Sequence, residues 1–210
     1  MIPLQKTTFL NEHETKQALA NFIMQANRLS MGDKCREFEE GFAKKQNREE
    51  AVLFNSGSSV NLAILQALKN LGRLRDGDHI GFSSLTWSTN TMPIIQLGMV
   101  PVPLDCDPQT LNTMSSHIGE RIQQQKLRGV FLTNALGFTG DLDAIRDLCK
   151  KEHIILIEDN CESLGSELPA GKTGNFSVAA SFSFFVAHHM STIEGGMACT
   201  DDEELAEMLR

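Results

Sequence analysis

The chain has 210 residues, of which 41% are hydrophobic, so it can bury the core of one domain, or of one domain and part of another. Its formal net charge of −8 argues against the broad basic surface that nucleic-acid binding needs. No segment approaches the roughly 18 consecutive apolar residues of a membrane span, and the initial residues MIPLQKTTFLNEHE lack the apolar region of a signal peptide. We therefore expect a cytoplasmic protein without nucleic-acid or membrane partners.

The predicted elements alternate between helices and short apolar strands. Helical periodicity covers residues 12–28 and 33–46 at the start of the chain. The strands then predicted are 51–54, 79–84, 100–105, 129–133, 154–159, 177–185 and 196–200, with helices at 59–70, 89–97, 116–126, 141–152 and from 201 onward. Most strands are apolar without alternation, which predicts an α/β fold with a mainly parallel sheet covered by helices on both faces. The last helix stops in mid-pattern at Arg210, so we expect a truncated chain.

Five cysteines are scattered along the chain, at positions 35, 106, 149, 161 and 199. Because no export signal is evident, we expect buried free thiols rather than a disulfide framework. The sequence contains no CxxC motif, which argues against a zinc site built from this chain alone.

Ligands of open α/β sheets bind beyond the carboxyl ends of the strands, so the loops at those ends are the first candidates for a site. The loop NSGSS joins the first strand to a helix, and Gly57 would let its backbone approach a ligand closely. The N–H groups at the helix start could hold a phosphate, but a simple helix cap by Ser58 or Ser59 explains the loop equally well. The loop matches neither the Walker pattern nor GxGxxG.

Two further strand ends carry residues of chemical interest. Trp87 follows the second strand among polar residues, where its ring could stack on a flat ligand, although a single tryptophan is more often part of a core. Glu158 and Asp159 end a buried strand. They are either an exposed acidic turn or a source of a carboxylate that pairs with a charged ring nitrogen, as in pyridoxal phosphate enzymes.

Four stretches, taken together and in order, resemble the DegT/DnrJ-type sugar aminotransferases, which are fold type I pyridoxal phosphate enzymes that act on nucleotide-linked keto sugars. The stretches are FNSGSSVNLAILQAL, TWSTNTMPIIQLGMVPVPLDCDPQTLN, IEDNCESLGS and SFFVAHHMSTIEGG. The resemblance runs from about residue 28 to residue 210. It implies an N-terminal helical segment at 1–30, a cofactor-binding large domain at 31–210, an absent C-terminal small domain, and an active site shared across a homodimer.

The resemblance also implies a role for several residues around pyridoxal 5′-phosphate. Gly57 and Ser58 match the pair whose backbone holds the cofactor phosphate, and Ser183 matches a serine that adds a hydroxyl. Trp87 matches the aromatic residue that stacks on the pyridine ring.

Two carboxylates complete this set. Asp159 matches the residue that keeps the pyridine nitrogen protonated, so that the ring can accept electrons. Glu162 matches a polar residue near the phenolic oxygen of the cofactor.

The sequence departs from the family at the residue that normally binds the cofactor covalently. Family members have a lysine upstream of Glu-Gly-Gly, and this position falls on His188, while the last lysine of the chain is Lys172. Imidazole cannot form a lasting Schiff base, but it can move protons near neutral pH. His189 follows directly, and we expect it to point away from the cofactor because successive side chains of extended backbone face opposite sides.

A branch of the family has this same His-His pair: the 3-dehydratases of 4-keto-6-deoxy sugar nucleotides, which use pyridoxamine 5′-phosphate. The resemblance implies that the cofactor amine condenses with the C4 ketone, that His188 removes a proton from the cofactor C4′ carbon, and that the C3 hydroxyl is expelled. The expected pathway is the synthesis of 3,6-dideoxyhexoses for bacterial surface polysaccharides such as lipopolysaccharide.

Two versions of this chemistry remain open. One uses a GDP-linked sugar and takes its amino group from glutamate; the other uses a CDP-linked sugar, an iron–sulfur (2Fe-2S) cluster and a reductase. Cys161 matches the first cluster ligand of the second version, although a single packed thiol is the simpler interpretation. The Phe-Phe pair before the histidines favours the first version. A cofactor-binding relative without catalysis and an inactive fragment are further alternatives.

Overall fold

The computed structural model describes residues 7–210, so the first six residues of the predicted N-terminal segment lie outside it. Within this range the strands are β1 (Glu50–Phe54), β2 (His79–Ser83), β3 (Val100–Leu104), β4 (Gly129–Thr133), β5 (Ile155–Asp159), β6 (Glu167–Leu168), β7 (Gly171–Lys172), β8 (Ala179–Ser183) and β9 (Gly196–Thr200). The helices are α1 (Glu12–Gln25), α2 (Asp33–Gln46), α3 (Gly57–Asn70), α4 (Ser88–Gln96), α5 (Ser115–Gln124), α6 (Leu142–Lys151) and α7 (Glu203–Leu209), with a short 3₁₀ turn at Ala135–Gly137.

The central sheet has seven strands in the order β1-β9-β8-β5-β4-β2-β3. All neighbouring pairs that exclude β9 are parallel, and β9 runs antiparallel to both β1 and β8. The expected mainly parallel α/β sheet is therefore confirmed. The carboxyl ends of β1, β2, β4, β5 and β8 meet the amino end of β9 at one edge, which we call the carboxyl edge.

Helices cover both faces of this sheet. Ile64 of α3, Ile94 of α4 and Leu205 of α7 pack in one buried cluster with strand residues such as Phe131. On the opposite face α5 and α6 pack against residues such as Val130, while α2 covers β8 and β9. Side chains alternate between the two faces along a strand, and both faces are covered by helices. Every residue of β4 is therefore buried, which explains the absence of polar alternation in its sequence.

Several predicted boundaries differ from the structure. Helix α1 ends at Gln25 rather than at residue 28, and its apolar stripe is not buried: Leu19 is 40% exposed and Ile23 is 49% exposed. Strand β8 covers only 179–183 of the predicted 177–185, because the chain turns after Phe184. The β6–β7 hairpin and the 3₁₀ turn were not predicted; both are too short for periodicity to reveal. None of the helices in residues 7–210 is long and apolar enough to cross a bilayer.

Candidate functional site

The start of α3 forms a tightly packed corner at the carboxyl edge. Ser56 caps the helix, because its Oγ accepts a hydrogen bond from the Ser59 N–H at 3.1 Å; the cap is therefore neither Ser58 nor Ser59. Gly57 and Ser58 occupy the first two helical positions, where backbone N–H groups have no partner within the helix. Such N–H groups, together with the helix dipole, are suited to a phosphate.

Gly57 is required here by space rather than by backbone conformation. A Cβ atom at this position would lie 2.7 Å from the Cys161 Sγ and 2.7 Å from the Ser183 Cβ. Ser183 ends β8, and its Oγ accepts a hydrogen bond from the Phe185 N–H at 3.3 Å. The predicted phosphate-binding residues Gly57, Ser58 and Ser183 therefore meet in one place.

The Glu-Gly-Gly motif has a physical explanation at the same corner. Gly196 begins β9 opposite Ser183, and a Cβ atom on it would lie 2.4 Å from the backbone of Ser56. A Cβ atom on Gly195 would lie 2.5 Å from the Thr192 Oγ1. Gly196 therefore allows the strand to pass directly behind the loop that carries Gly57, and Gly195 allows the preceding loop to fold closely against Thr192.

Asp159 ends β5 beside this corner and is only 5% exposed. Its Oδ2 accepts hydrogen bonds from the Asn61 Nδ2 at 2.9 Å and from the Asn90 Nδ2 at 2.8 Å. Its Oδ1 accepts a hydrogen bond from the Cys161 N–H at 2.9 Å. Three donors on three different elements fix the orientation of this carboxylate.

Glu158, the preceding residue, has a different environment and a different role. It is fully buried and accepts hydrogen bonds from the Gly174 N–H, the Phe176 N–H, the Ser177 hydroxyl and the Asn134 amide. Burial raises the pKa of Glu158, while these donors act in the opposite direction. The interpretation of the two acids as an exposed turn is therefore wrong.

Cys161 lies between the Gly57 corner and Asp159. Burial, together with the negative charge of Asp159, raises the pKa of its thiol well above the ordinary value, so the group is neutral. All five cysteines are free. Within residues 7–210 no group of three or more His, Cys, Asp or Glu side chains is arranged to hold a metal ion.

Trp87 precedes α4, and its side chain belongs to the surface rather than to the core, with 73% of the residue exposed. Its carbonyl accepts a hydrogen bond from the N–H of Asn90, the residue that donates to Asp159. This arrangement leaves the aromatic ring free to contact a ligand near the carboxyl edge.

Glu162 follows Cys161 on the loop after β5. Its Oε2 accepts a hydrogen bond from the Leu136 N–H at 2.9 Å, within the turn after β4. Leu136 has a left-handed backbone conformation, with φ of 56°, and is largely exposed. Glu162 therefore joins the loops after β4 and β5 at the mouth of the site.

His188 lies in a turn, not in extended backbone: its N–H donates to the Phe185 carbonyl at 2.9 Å. The argument from strand alternation is therefore wrong, but the two histidines still differ, because His188 is half-buried and His189 is exposed. Burial lowers the pKa of His188, the charges of Glu162 and Asp159 raise it, and the charge of His189 lowers it slightly. His188 is thus within electrostatic range of both carboxylates.

Asn61 and Asn90, the two residues that hold Asp159, were not among the predicted site residues. The amide oxygens of both side chains are buried and have no hydrogen-bond partner within the described part of the chain. The sequence spacing could have indicated Asn61, because it lies one helical turn after Gly57 and faces the same side of α3.

The residues at the carboxyl edge fit a flat, phosphate-bearing cofactor with a ring nitrogen. A narrow corner offers two helix N–H groups, a buried carboxylate stands beside it, and an exposed aromatic ring lies nearby. The fold and the site are thus those of an α/β domain that binds a phosphate-bearing cofactor. The sequence profile of the DegT/DnrJ/EryC1/StrS aminotransferase family matches residues 10–210, and the chain belongs to this family.

Two individual relatives within the family are similar to the chain over most of its length. The chain is 33% identical over 189 residues to GDP-4-keto-6-deoxy-D-mannose 3-dehydratase of Yersinia pseudotuberculosis, an alignment that covers 89% of this chain and 48% of the relative. It is 32% identical over 211 residues to dTDP-4-dehydro-2,6-dideoxy-D-glucose 3-dehydratase of Saccharopolyspora spinosa, covering 99% of this chain and 45% of the relative.

A solved structure is similarly close in fold. The structure of GDP-4-keto-6-deoxymannose-3-dehydratase with a trapped PLP-glutamate geminal diamine aligns with a TM-score of 0.90 at 32% identity, covering 100% of this chain and 54% of the other. The chain therefore spans about half the length of the relatives it matches.

Proposed function

We propose that this chain supplies the cofactor-binding domain of a pyridoxal phosphate-dependent C3 dehydratase that acts on a nucleotide-linked 4-keto-6-deoxyhexose. Residues 31–210 form that domain in the proposal, and residues 1–30 form a separate helical segment. The observation that carries the proposal is His188, a half-buried imidazole within electrostatic range of Asp159 and Glu162. The names of the relatives support the same reaction class.

The proposed cofactor contacts combine the family resemblance with the geometry of the carboxyl edge. The N–H groups of Gly57 and Ser58 bind the phosphate, and the Ser183 hydroxyl donates to it, since its oxygen already accepts from Phe185. Trp87 stacks on the ring. Glu162 lies near the phenolic oxygen.

The residues of the chain then have distinct chemical tasks. When bound, the cofactor supplies an electron-accepting ring and, in its pyridoxamine form, an amine that reacts with a ketone. Asp159 holds a proton on the ring nitrogen, and Asn61 and Asn90 keep its carboxylate in place. His188 removes a proton from the C4′ carbon; burial lowers its pKa and so favours the neutral imidazole, the form that can accept a proton.

Within this reaction class we propose the GDP-sugar version with glutamate as amino donor. The relative from Yersinia and the solved structure with PLP-glutamate support this choice. The close packing of the Cys161 thiol behind Gly57 supports a structural role for it, rather than a role as a ligand in the CDP-sugar version.

We further propose that the protein is a homodimer. Helix α1 buries none of its residues and exposes Leu19, Ile23 and Met24, and apolar surface of this kind is typical of a protein interface. Sedimentation velocity would report the assembly state. Free thiols at all five cysteines support residence in the cytoplasm.

The function is tested with protein expressed from its complete reading frame. We expect the wild type to convert GDP-4-keto-6-deoxymannose in the presence of pyridoxal phosphate and glutamate, releasing ammonia. His188→Asn should abolish turnover while retaining the absorbance of bound cofactor, and His189→Asn should remain active. Turnover by His188→Asn together with its loss in His189→Asn would reverse the assignment, and a wild type that transfers the amino group to the sugar would refute dehydration.

A further inference from the structure

A second feature lies at the amino edge of the sheet, where β2 and β4 begin, on the side opposite the candidate cofactor site. A cavity of about 420 Å³ opens there, lined by Arg73, Arg75, Asp78, His79, Lys126 and Arg128, together with two glycines. We call it the basic cavity. Strand β2 separates it from the carboxyl edge by five residues, or about 16 Å at roughly 3.3 Å per residue.

Basic side chains are concentrated at this edge, although the chain as a whole is acidic. The sequence has 27 acidic and 19 basic residues. Four lysine or arginine side chains line the basic cavity. Four also line an adjoining cavity at the starts of β5 and β8. Because Arg73 lines both cavities, seven different basic side chains lie at this edge. Asp78 and Asp201 are the carboxylates that line the two cavities. In the adjoining cavity Arg48 is paired with Asp201, and Arg146 is paired with Asp143 and Asp147, so the unpaired charge lies mainly in the basic cavity.

Internal ion pairs do not account for this concentration within the basic cavity. Arg73 is paired with Asp202 and Glu204. For Arg75, Lys126 and Arg128, by contrast, residues 7–210 provide no carboxylate oxygen within 4.0 Å. Like charges held together raise the free energy of the folded state, and a bound anion would relieve this repulsion.

Two contacts order the wall of the basic cavity: one orients the Arg128 guanidinium, and the other fixes the backbone turn at Arg75. The Arg128 Nε donates to the Arg73 carbonyl at 3.2 Å, which orients a half-buried guanidinium at the cavity wall. The Asp78 Oδ2 accepts from the Arg75 N–H at 2.8 Å and thereby fixes the turn that carries Arg75. An oriented guanidinium offers paired N–H donors that match the oxygens of a phosphate.

We propose that the basic cavity binds a diphosphate group, either free or carried by a nucleotide, at a site separate from the cofactor. Arg128 and Arg75 bind the phosphate oxygens through paired N–H donors, and Lys126 adds a mobile charge from the rim. This inference does not depend on the proposed reaction, because none of these residues contacts the carboxyl edge.

The test is calorimetric titration of inorganic pyrophosphate into the protein saturated with pyridoxal phosphate, which blocks the other phosphate site. We expect one binding event that weakens about tenfold or more in Arg128→Gln, since a charge-assisted paired contact is lost. Lys126→Gln should weaken it less, and it alters an exposed side chain, so folding is preserved. Lys44→Gln, which removes a charge from helix α2, is the matched control.

A titration with ADP then distinguishes a nucleotide from a free diphosphate as the ligand. ADP binding more tightly than pyrophosphate, with the same dependence on Arg128, would identify a nucleotide as the ligand, and equal affinities would show that the diphosphate alone is recognised. No detectable binding, binding unaffected by both cavity variants, or equal weakening by Lys44→Gln would overturn the proposal. Cofactor absorbance should be unchanged in all variants, which separates this result from any failure of the proposed function.

Discussion

Replacement of Gly57 by alanine tests the packing of the phosphate-binding corner. The backbone conformation of Gly57 is one that any residue adopts, so the cost of the change is steric. The new Cβ would lie 2.7 Å from the Cys161 Sγ and 2.7 Å from the Ser183 Cβ, about 0.7 Å inside the 3.4 Å at which ordinary contact begins. The thiol can rotate, but the Ser183 Cβ is bonded to the backbone of an inner strand and cannot move without it.

Overpacking of this kind costs about 1–3 kcal/mol, and the rigid neighbour places Gly57→Ala towards the upper end. With a urea dependence of about 2 kcal/mol per molar, the unfolding midpoint should fall by about 1 M. Gly119→Ala is the matched control, because Gly119 lies within α5 with open space around its Cβ position; this change should raise stability by up to about 1 kcal/mol. Pyridoxal phosphate affinity should fall only in Gly57→Ala. Equal midpoints for wild type and Gly57→Ala would refute the steric argument.

Three further changes test the acids, their partners and His188. Glu158→Gln leaves buried donors without an acceptor and should lower the free energy of unfolding by about 2–4 kcal/mol, measured by urea denaturation; Glu167→Gln, on the exposed hairpin, should have little effect, and similar losses would contradict this. Asn90→Ala removes one of two amide donors to the Asp159 Oδ2 and should weaken pyridoxal phosphate binding about tenfold in a fluorescence titration; unchanged affinity would remove Asn90 from the site. Burial lowers the pKa of His188 in the folded chain below its ordinary value of 6.5, which applies to the unfolded chain. Between these two pKa values the unfolded chain binds more protons than the folded chain, so stability is lost as the pH falls through this window. His188→Gln should reduce that loss as the pH falls below about 6.5, and His189→Gln should not; identical pH profiles would count against the buried position of His188.

The sheet could be predicted because its strands are buried on both faces. Residues 129–132 form an apolar run that Thr133 ends, and the structure buries all five residues, so composition alone located β4. The end of β8 could not be predicted in the same way. Phe184 and Phe185 continue the apolar pattern, but the chain turns just after them, where the His188 N–H donates to the Phe185 carbonyl, and the apolar pattern gives no sign of this turn.

The candidate site was partly predictable for a related reason. Gly57 and Trp87 follow strands and Asp159 ends one, and parallel topology brings such positions to one edge. The two residues that orient Asp159 were not predicted. Asn61 and Asn90 are polar positions within helices, and a sequence gives no sign that two amides on different helices converge on one carboxylate oxygen.

The pairing of Glu158 with Asp159 follows from the geometry of a strand. Successive side chains of β5 point to opposite faces, so adjacent acids enter different environments. Glu158 accepts from the Gly174 and Phe176 N–H groups and so ties the loop before β8 to the sheet, which places Ser183 at the carboxyl edge. Asp159 faces α3 and α4 on the other side, where oriented donors hold it toward the ligand position. One acid therefore builds the wall of the site, and in the proposed function its neighbour supplies the charge that the ring nitrogen requires.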